Sequence, residues 1–146
     1  LADKRVVIFG TGSDLSEEDV VGTDQQYIYG IFDDDKGTGT VKVTVQNGTG
    51  GGLLEQVLSE ENKILFLTNN KASGGSNGKG WVVKLKEGGR VTVKPTVVLR
   101  TAFVTIRSYT GNDKCDAQTA ILGINTADGG ALTPRSARPI VPGDQV

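Results

Sequence analysis

Histidine is absent from this chain, so carboxylates, glycine-flanked hydroxyls and one thiol are the residues left to do chemistry. Without an imidazole, the usual general base and the Ser–His and Cys–His activations are gone. A Ser–Lys or paired-Asp mechanism stays open in principle, but no spacing argues for one. The chain reads as lacking enzymatic activity of its own. Gly10-Thr11-Gly12-Ser13 could present backbone N–H groups to an anion. No lysine follows in the P-loop pattern and no dinucleotide fingerprint is completed, so a structural turn is the favoured reading. A hard-cation loop needs carboxylates at alternating positions and a glycine at the sharp turn. Asp33-Asp34-Asp35-Lys36-Gly37 has consecutive carboxylates that point to opposite sides, which suits a soluble hairpin end. Asn112-Asp113-Lys114-Cys115-Asp116 is no closer to the pattern, and no metal residue is assigned.

Cys115 is the only cysteine, so an internal disulfide is excluded. It is either one half of an intermolecular disulfide or a free, half-buried thiol. The polar stretch Asn69–Lys79, NNKASGGSNGK, is a candidate display loop carrying Asn69, Asn70, Lys71, Ser73, Ser76, Asn77 and Lys79; an ordinary flexible connection is the plainer reading. Trp81 opens a strand and is read as core or inter-blade packing. Tyr27 and Tyr29 share one strand face, with Ile28 on the other.

The elements that must position these residues are strands. Apolar runs rich in Val, Ile, Thr and aromatics alternate with Gly/Asn/Asp turns. The runs are Arg5–Gly10, Tyr27–Phe32, Thr40–Gln46, Lys63–Thr68, Trp81–Lys86, Arg90–Lys94, Val97–Leu99, Thr101–Arg107 and Thr119–Asn125. Thr40–Gln46 alternates strictly, with Val41, Val43 and Val45 on one face. Ser16–Val21 suits a single helical turn, since acidic residues favour a helix N-terminus. Leu53–Leu58 has helical spacing as well as strand character, and strand is preferred. Tyr27–Phe32, followed by Asp35 and Gly37, is echoed by Ala120–Asn125 with Asp128 and Gly130, and more loosely by Trp81–Lys86. Each copy follows an earlier strand across a polar loop, giving three strand–loop–strand modules. Such units cannot bury an apolar face alone. Propeller blades are one solution and a sandwich of the same hairpins is the other.

Two stretches, Arg5–Asp35 and Gly80–Leu132, resemble the C-terminal β-propeller of the PilC/PilY family of type IV pilus tip-associated adhesins. The resemblance rests on three pieces in order. The first is the Phe9-Gly10-Thr11-Gly12 loop, then an acidic stretch leading to Gln26-x-x-Tyr29-Gly30-Ile31. The second is Gly80-Trp81 with a Gly-bearing turn into Arg90-Val91. The third is Phe103–Arg107, Asp113 and Cys115, and the closing Asp128-Gly129-Gly130 turn. It implies an all-β partial propeller of about two blades over residues 1–133, with an irregular tail or linker over 134–146. It implies a surface or extracellular scaffold at the pilus tip or outer membrane, serving adhesion and pilus assembly. The implied partners are the remainder of the propeller, pilins or minor pilins, and a surface receptor. The calcium loop of the family is expected upstream of this chain, so no cofactor is expected within it. A quinoprotein-type enzyme propeller and a filament-forming surface protein that pairs through open strand edges are the alternatives.

Composition sets the remaining bounds. The chain has 146 residues, 23% charged and 36% hydrophobic, with 21 glycines, which fits a folded, turn-rich domain. No apolar run approaches the roughly 20 residues that span a bilayer. The chain starts without Met or a signal sequence, which reads as an excerpt or a processed piece. Net charge is −1, but residues 1–78 hold 6 Lys/Arg against 12 Asp/Glu, and residues 79–146 hold 10 against 5. Lys84, Lys86, Arg90, Lys94 and Arg100 lack aromatic interleaving, so nucleic acid is not an expected partner.

Overall fold

The computed structural model describes residues 5–33, 52–71, 78–110, 116–132, 137–139 and 141–142. Among the described residues, ten strands and one short helix follow in order: β1 (Val6–Gly10), α1 (Glu17–Val21), β2 (Tyr27–Phe32), β3 (Leu53–Glu61), β4 (Ile64–Leu67), β5 (Gly80–Lys84), β6 (Thr96–Val98), β7 (Thr101–Thr110), β8 (Asp116–Asn125), β9 (Ala137–Pro139) and β10 (Val141–Pro142). They form two open sheets, a six-stranded one in the order β1-β2-β5-β3-β4-β9 and a four-stranded one in the order β10-β8-β7-β6. The described residues are thus mostly β, as expected, and among them the sheets do not close into a ring of blades.

The two hairpins read most directly from sequence are present. Antiparallel β1 and β2 pair from Val6 opposite Phe32 to Gly10 opposite Ile28. Long β7 and β8 pair from Thr101 opposite Asn125 to Thr110 opposite Asp116. The middle module is different. Its strands β4 and β5 are not neighbours, because β3 lies between them, antiparallel to β4 and parallel to β5. Three repeated hairpins therefore become two, plus a mixed insertion that joins the first sheet. A parallel neighbour needs a long connection, and the residues between β4 and β5 supply it.

Other expectations resolve individually. Leu53–Leu58 is strand, with Leu54, Gln56 and Leu58 buried at period two and Glu55 and Val57 exposed between them. The single turn at Ser16–Val21 is α1; the Ser16 hydroxyl caps it by accepting from the Asp19 N–H, and Glu17, Glu18 and Asp19 occupy its first turn. Arg90–Lys94 is a correction, since only an isolated bridge from Arg90 to Arg107 forms there. The Gly88 turn delivers Arg90 to the interior, and Pro95 disfavours continued pairing by removing a donor. The tail is also a correction: β9 pairs with β4 and β10 with β8, so it is not wholly irregular. Thr40–Gln46 lies outside the described residues.

The core lies between the sheets. Ile28, Trp81 and Val83 from the first sheet, with Leu85 just after β5, meet Ala102, Val104, Leu122 and Ile124 from the second. Trp81 is its largest member and is fully buried. The indole N–H donates to the Thr126 carbonyl at 2.7 Å, which satisfies its one polar atom. Its ring lies flat against Gly30 of β2. A Cβ built on Gly30 would sit 2.1 Å from Trp81 Cε2, so only glycine lets the ring reach this depth. Gly30→Ala is therefore expected to destabilise the fold by about 1–3 kcal/mol through overpacking. Urea unfolding monitored by Trp81 fluorescence checks this. An unchanged midpoint would mean that the ring slides aside freely.

Candidate functional site

Two polar knots sit at the ends of the strands. The first anchors the candidate display loop. Gln56 on β3 is completely buried, although its side chain is an amide. Its Nε2 donates to the carbonyls of Asn70 at 2.9 Å and Asp128 at 3.0 Å. Its Oε1 accepts from the Thr68 hydroxyl at 2.6 Å and the Asn70 N–H at 2.9 Å. All four hydrogen-bonding positions of the amide are used, which is what burial of such a group demands. Asn70 also donates from Nδ2 to the Glu55 carbonyl, and the Ala131 N–H donates to Thr68 O. The stem of the loop is thereby tied to β3 and to the turn after β8.

On this anchored stem Asn69, Asn70 and Lys71 are exposed, as is Lys79 on the far side. Lys71 pairs with Asp128 at 2.7 Å, and Asp128 in turn accepts from the Gly130 N–H. Ser73, Ser76 and Asn77 lie outside the described residues, as does Cys115. The structure thus brings Asn69–Lys71 together with the Asp128-Gly129-Gly130 turn. Gln56 was missed as a site residue by sequence reading. The one available signal was a lone polar residue at an inward-facing position of an apolar strand.

The second knot holds the segment between β1 and β2. Helix α1 buries no residue, so apolar packing does not fix it. The guanidinium of Arg90 does so instead, and Arg90 is only 5% exposed. Nη1 donates to the carbonyls of Ser13, at 3.0 Å, and Asp19; Nη2 donates to those of Gly22, at 3.1 Å, and Gly88, at 3.3 Å. A planar five-donor fork suits such a ring of carbonyls. Gly12, at φ +130°, lies directly on the Arg90 side chain, and a Cβ there would fall 2.4 Å from the Arg90 Cβ. The Gly-Thr-Gly loop is therefore a turn shaped around this arginine, as the structural reading expected. Tyr109 on β7 lies between the guanidinium groups of Arg90 and Arg107, 5.3 Å and 5.4 Å from its ring centre. Its hydroxyl accepts from Arg107 Nε and donates to Asp14 Oδ2.

A cavity of about 210 Å³ opens beside this knot, lined in part by Ser13, Glu18, Asp19, Asp24 and Arg90. Asp19 Oδ2 accepts from the Ser13 hydroxyl at 2.8 Å and from the Leu15 N–H at 3.0 Å. The Ser13 hydrogen bond, helped by the backbone bonds and opposed by partial desolvation, holds the Asp19 carboxyl below its ordinary range. Among the described residues no group of three or more Cys, Asp or Glu side chains is placed to hold a metal ion.

Two expectations follow. Arg90→Lys keeps the charge but not the fork, and should destabilise the fold by at least about 3 kcal/mol, the worth of two charge-assisted bonds; denaturant unfolding reads this. The depressed Asp19 carboxyl stabilises the loop above the unfolded pKa, near 4, and that stabilisation fades as pH falls through the lower folded value. Acid titration should thus lower the protection factor of the Leu15 amide in wild type, measured against its intrinsic exchange rate at each pH, and Asp19→Asn should flatten that response. An identical acid response in the variant would exclude Asp19 as its source.

Residues 1–71 match the family model of the PilY1 beta-propeller domain. No curated protein and no solved structure matches the chain. The matched stretch contains β1 to β4, the Gly-Thr-Gly loop, α1 and Gln56. The later pieces of the resemblance, from Gly80 to Leu132, lie beyond it. Over residues 1–71, just under half of its length, the chain is similar to the PilY1 beta-propeller domain.

Proposed function

We propose that the chain is a non-enzymatic scaffold within the propeller of a type IV pilus tip-associated adhesin, displaying loops at the cell surface for adhesion and pilus assembly. The similarity of residues 1–71 to the PilY1 beta-propeller domain supports a type IV pilus-associated protein, of a family that is generally non-catalytic and extracellular. Among the described residues no helix is long and apolar enough to cross a membrane.

One structural observation carries the scaffold reading: the outward faces of both sheets carry large exposed apolar side chains among their polar ones. A self-contained sandwich alternates apolar residues inward with polar residues outward. Here the outward positions of the six-stranded sheet include exposed Val7, Phe9, Val57, Ile64 and Phe66. Phe9 stacks on Tyr29 with ring centres 5.4 Å apart, and Tyr29 lies 6.0 Å from Tyr27, extending the face across β2. The four-stranded sheet exposes Phe103 and Ile121. Exposed apolar side chains on the outward faces suit a blade flanked by other blades. The remainder of the propeller is the partner that this chemistry fits, and the Asn69–Lys71 stem is the part left to a receptor or pilin.

Recovery of the native protein from sheared cell surfaces tests this reading. A mass well above the 15.3 kDa of this chain, together with copurifying pilins, is expected. A free 15.3 kDa species without pilins would overturn it. In the same background, Lys71→Ala should reduce adhesion while changing stability by less than about 1 kcal/mol, because its ion pair is exposed on the lysine side. Unchanged adhesion would remove Lys71 from the display surface.

A further inference from the structure

The four outermost strands of the two sheets are not equivalent. An open edge invites pairing with another chain, and proline is a standard way to prevent it, because it lacks the N–H that an incoming strand needs. Three of the chain's four prolines stand at three of the edges. Pro139 is in β9, Pro142 is in β10, and Pro95 directly precedes the three-residue β6. The remaining edge, β1, has no proline and no charged residue between Val6 and Gly10.

The backbone of β1 is also correctly turned for pairing. Asp33 N–H donates to Arg5 O at 2.8 Å and Thr11 N–H donates to Tyr27 O at 2.9 Å. Residues 5, 7 and 9 and the Thr11 N–H therefore face β2, whereas the Thr11 carbonyl accepts from the Val91 N–H; Val6, Ile8 and Gly10 direct their backbone groups away from β2. Among the described residues β1 is the end of its sheet.

We propose that β1 is a strand-pairing edge whose occupant is β1 of a second copy of this chain, antiparallel and centred on Ile8. The sequence VVIFG fits itself in that register. Ile8 faces Ile8 of the other copy as the hydrogen-bonded pair, with Val6 opposite Gly10. On the outward face, Val7 of each copy meets Phe9 of the other. Both are exposed in the single chain, at 60% and 44%, and apolar cross-strand pairs stabilise antiparallel strands. The exposed face of Val7, Phe9 and Tyr29 then continues unbroken from one copy into the next. Because a two-fold pairing uses the same edge on both partners, it closes at a dimer. It stands whether or not the pilus assignment does.

The test uses the 146-residue chain with Cys115→Ser throughout, to silence the native thiol. Sedimentation equilibrium should show a concentration-dependent dimer. Val7→Lys should weaken it about ten-fold, since two cross-strand pairs are lost. Val7→Lys with Phe9→Glu should restore it through two new opposite-charge pairs. Register is read by mixing a Val7→Cys chain with a Phe9→Cys chain under mild oxidation: the mixture should cross-link and neither variant alone should. Both positions are exposed, and unchanged unfolding midpoints will verify folding. A monomer at all concentrations, a dimer indifferent to Val7→Lys, or equal cross-linking of the single variants would each overturn the proposal.

Discussion

One buried guanidinium holds the first half of this molecule to the second. Arg90 stands just after the turn that follows β5, yet its donors end on carbonyls of Ser13, Asp19 and Gly22, in the long connection between β1 and β2. That connection has no apolar anchor of its own, since α1 buries nothing and Leu15 is almost fully exposed. A five-residue helix is too short to persist on propensity. Its carbonyls would otherwise seek water, and the arginine gathers them around one charge. Tyr109 and Arg107 extend the same contact to β7, so the knot bridges both sheets. The acidic first half and basic second half of the sequence meet here in a specific contact, with Asp14 3.7 Å from Arg107.

The opposite knot uses a neutral group to the same end. Gln56 spends all of its hydrogen-bonding capacity on the loop after β4 and the turn after β8, while Trp81 bonds to Thr126 in that turn. A buried polar side chain with every position satisfied adds geometric specificity that apolar contact cannot, because each bond fixes a direction. The two loop clusters are thus held by directed bonds, and the sheets by undirected burial. Loops displayed from such a frame keep a fixed base whatever their tips do.

Much of the secondary structure was legible in the sequence, and the reason is local. Period-two patterns such as Tyr27–Phe32 and turn residues around Ser16 are decided within a few positions. What escaped was decided at a distance. The parallel insertion of β3 between β4 and β5 depends on which apolar face finds Trp81, and no local pattern encodes that. Arg90–Lys94 carried a strand's alternation, but Arg90 was claimed by carbonyls some 70 positions earlier. At the site, Asn69–Lys71 could be read as exposed and polar from composition alone. Gln56 stood out only as a lone polar residue on the Leu54–Leu58 face, and its role as anchor depends on partners distant in sequence.

The arrangement of directed and undirected forces also explains why the molecule is closed at some surfaces and open at others. Polar knots seal the loop clusters, and prolines guard the edges at β6, β9 and β10. The edge at β1 carries no comparable guard. A fold under pressure only to remain soluble would place Lys, Glu or Pro at such positions first, because an exposed apolar strand edge is the feature most prone to unwanted association. Guarding three edges of four, while leaving Val7 and Phe9 bare on the fourth, distinguishes a surface kept open from surfaces kept shut. The physical logic is that of a stacking element, stiff within itself and unfinished at its contacts.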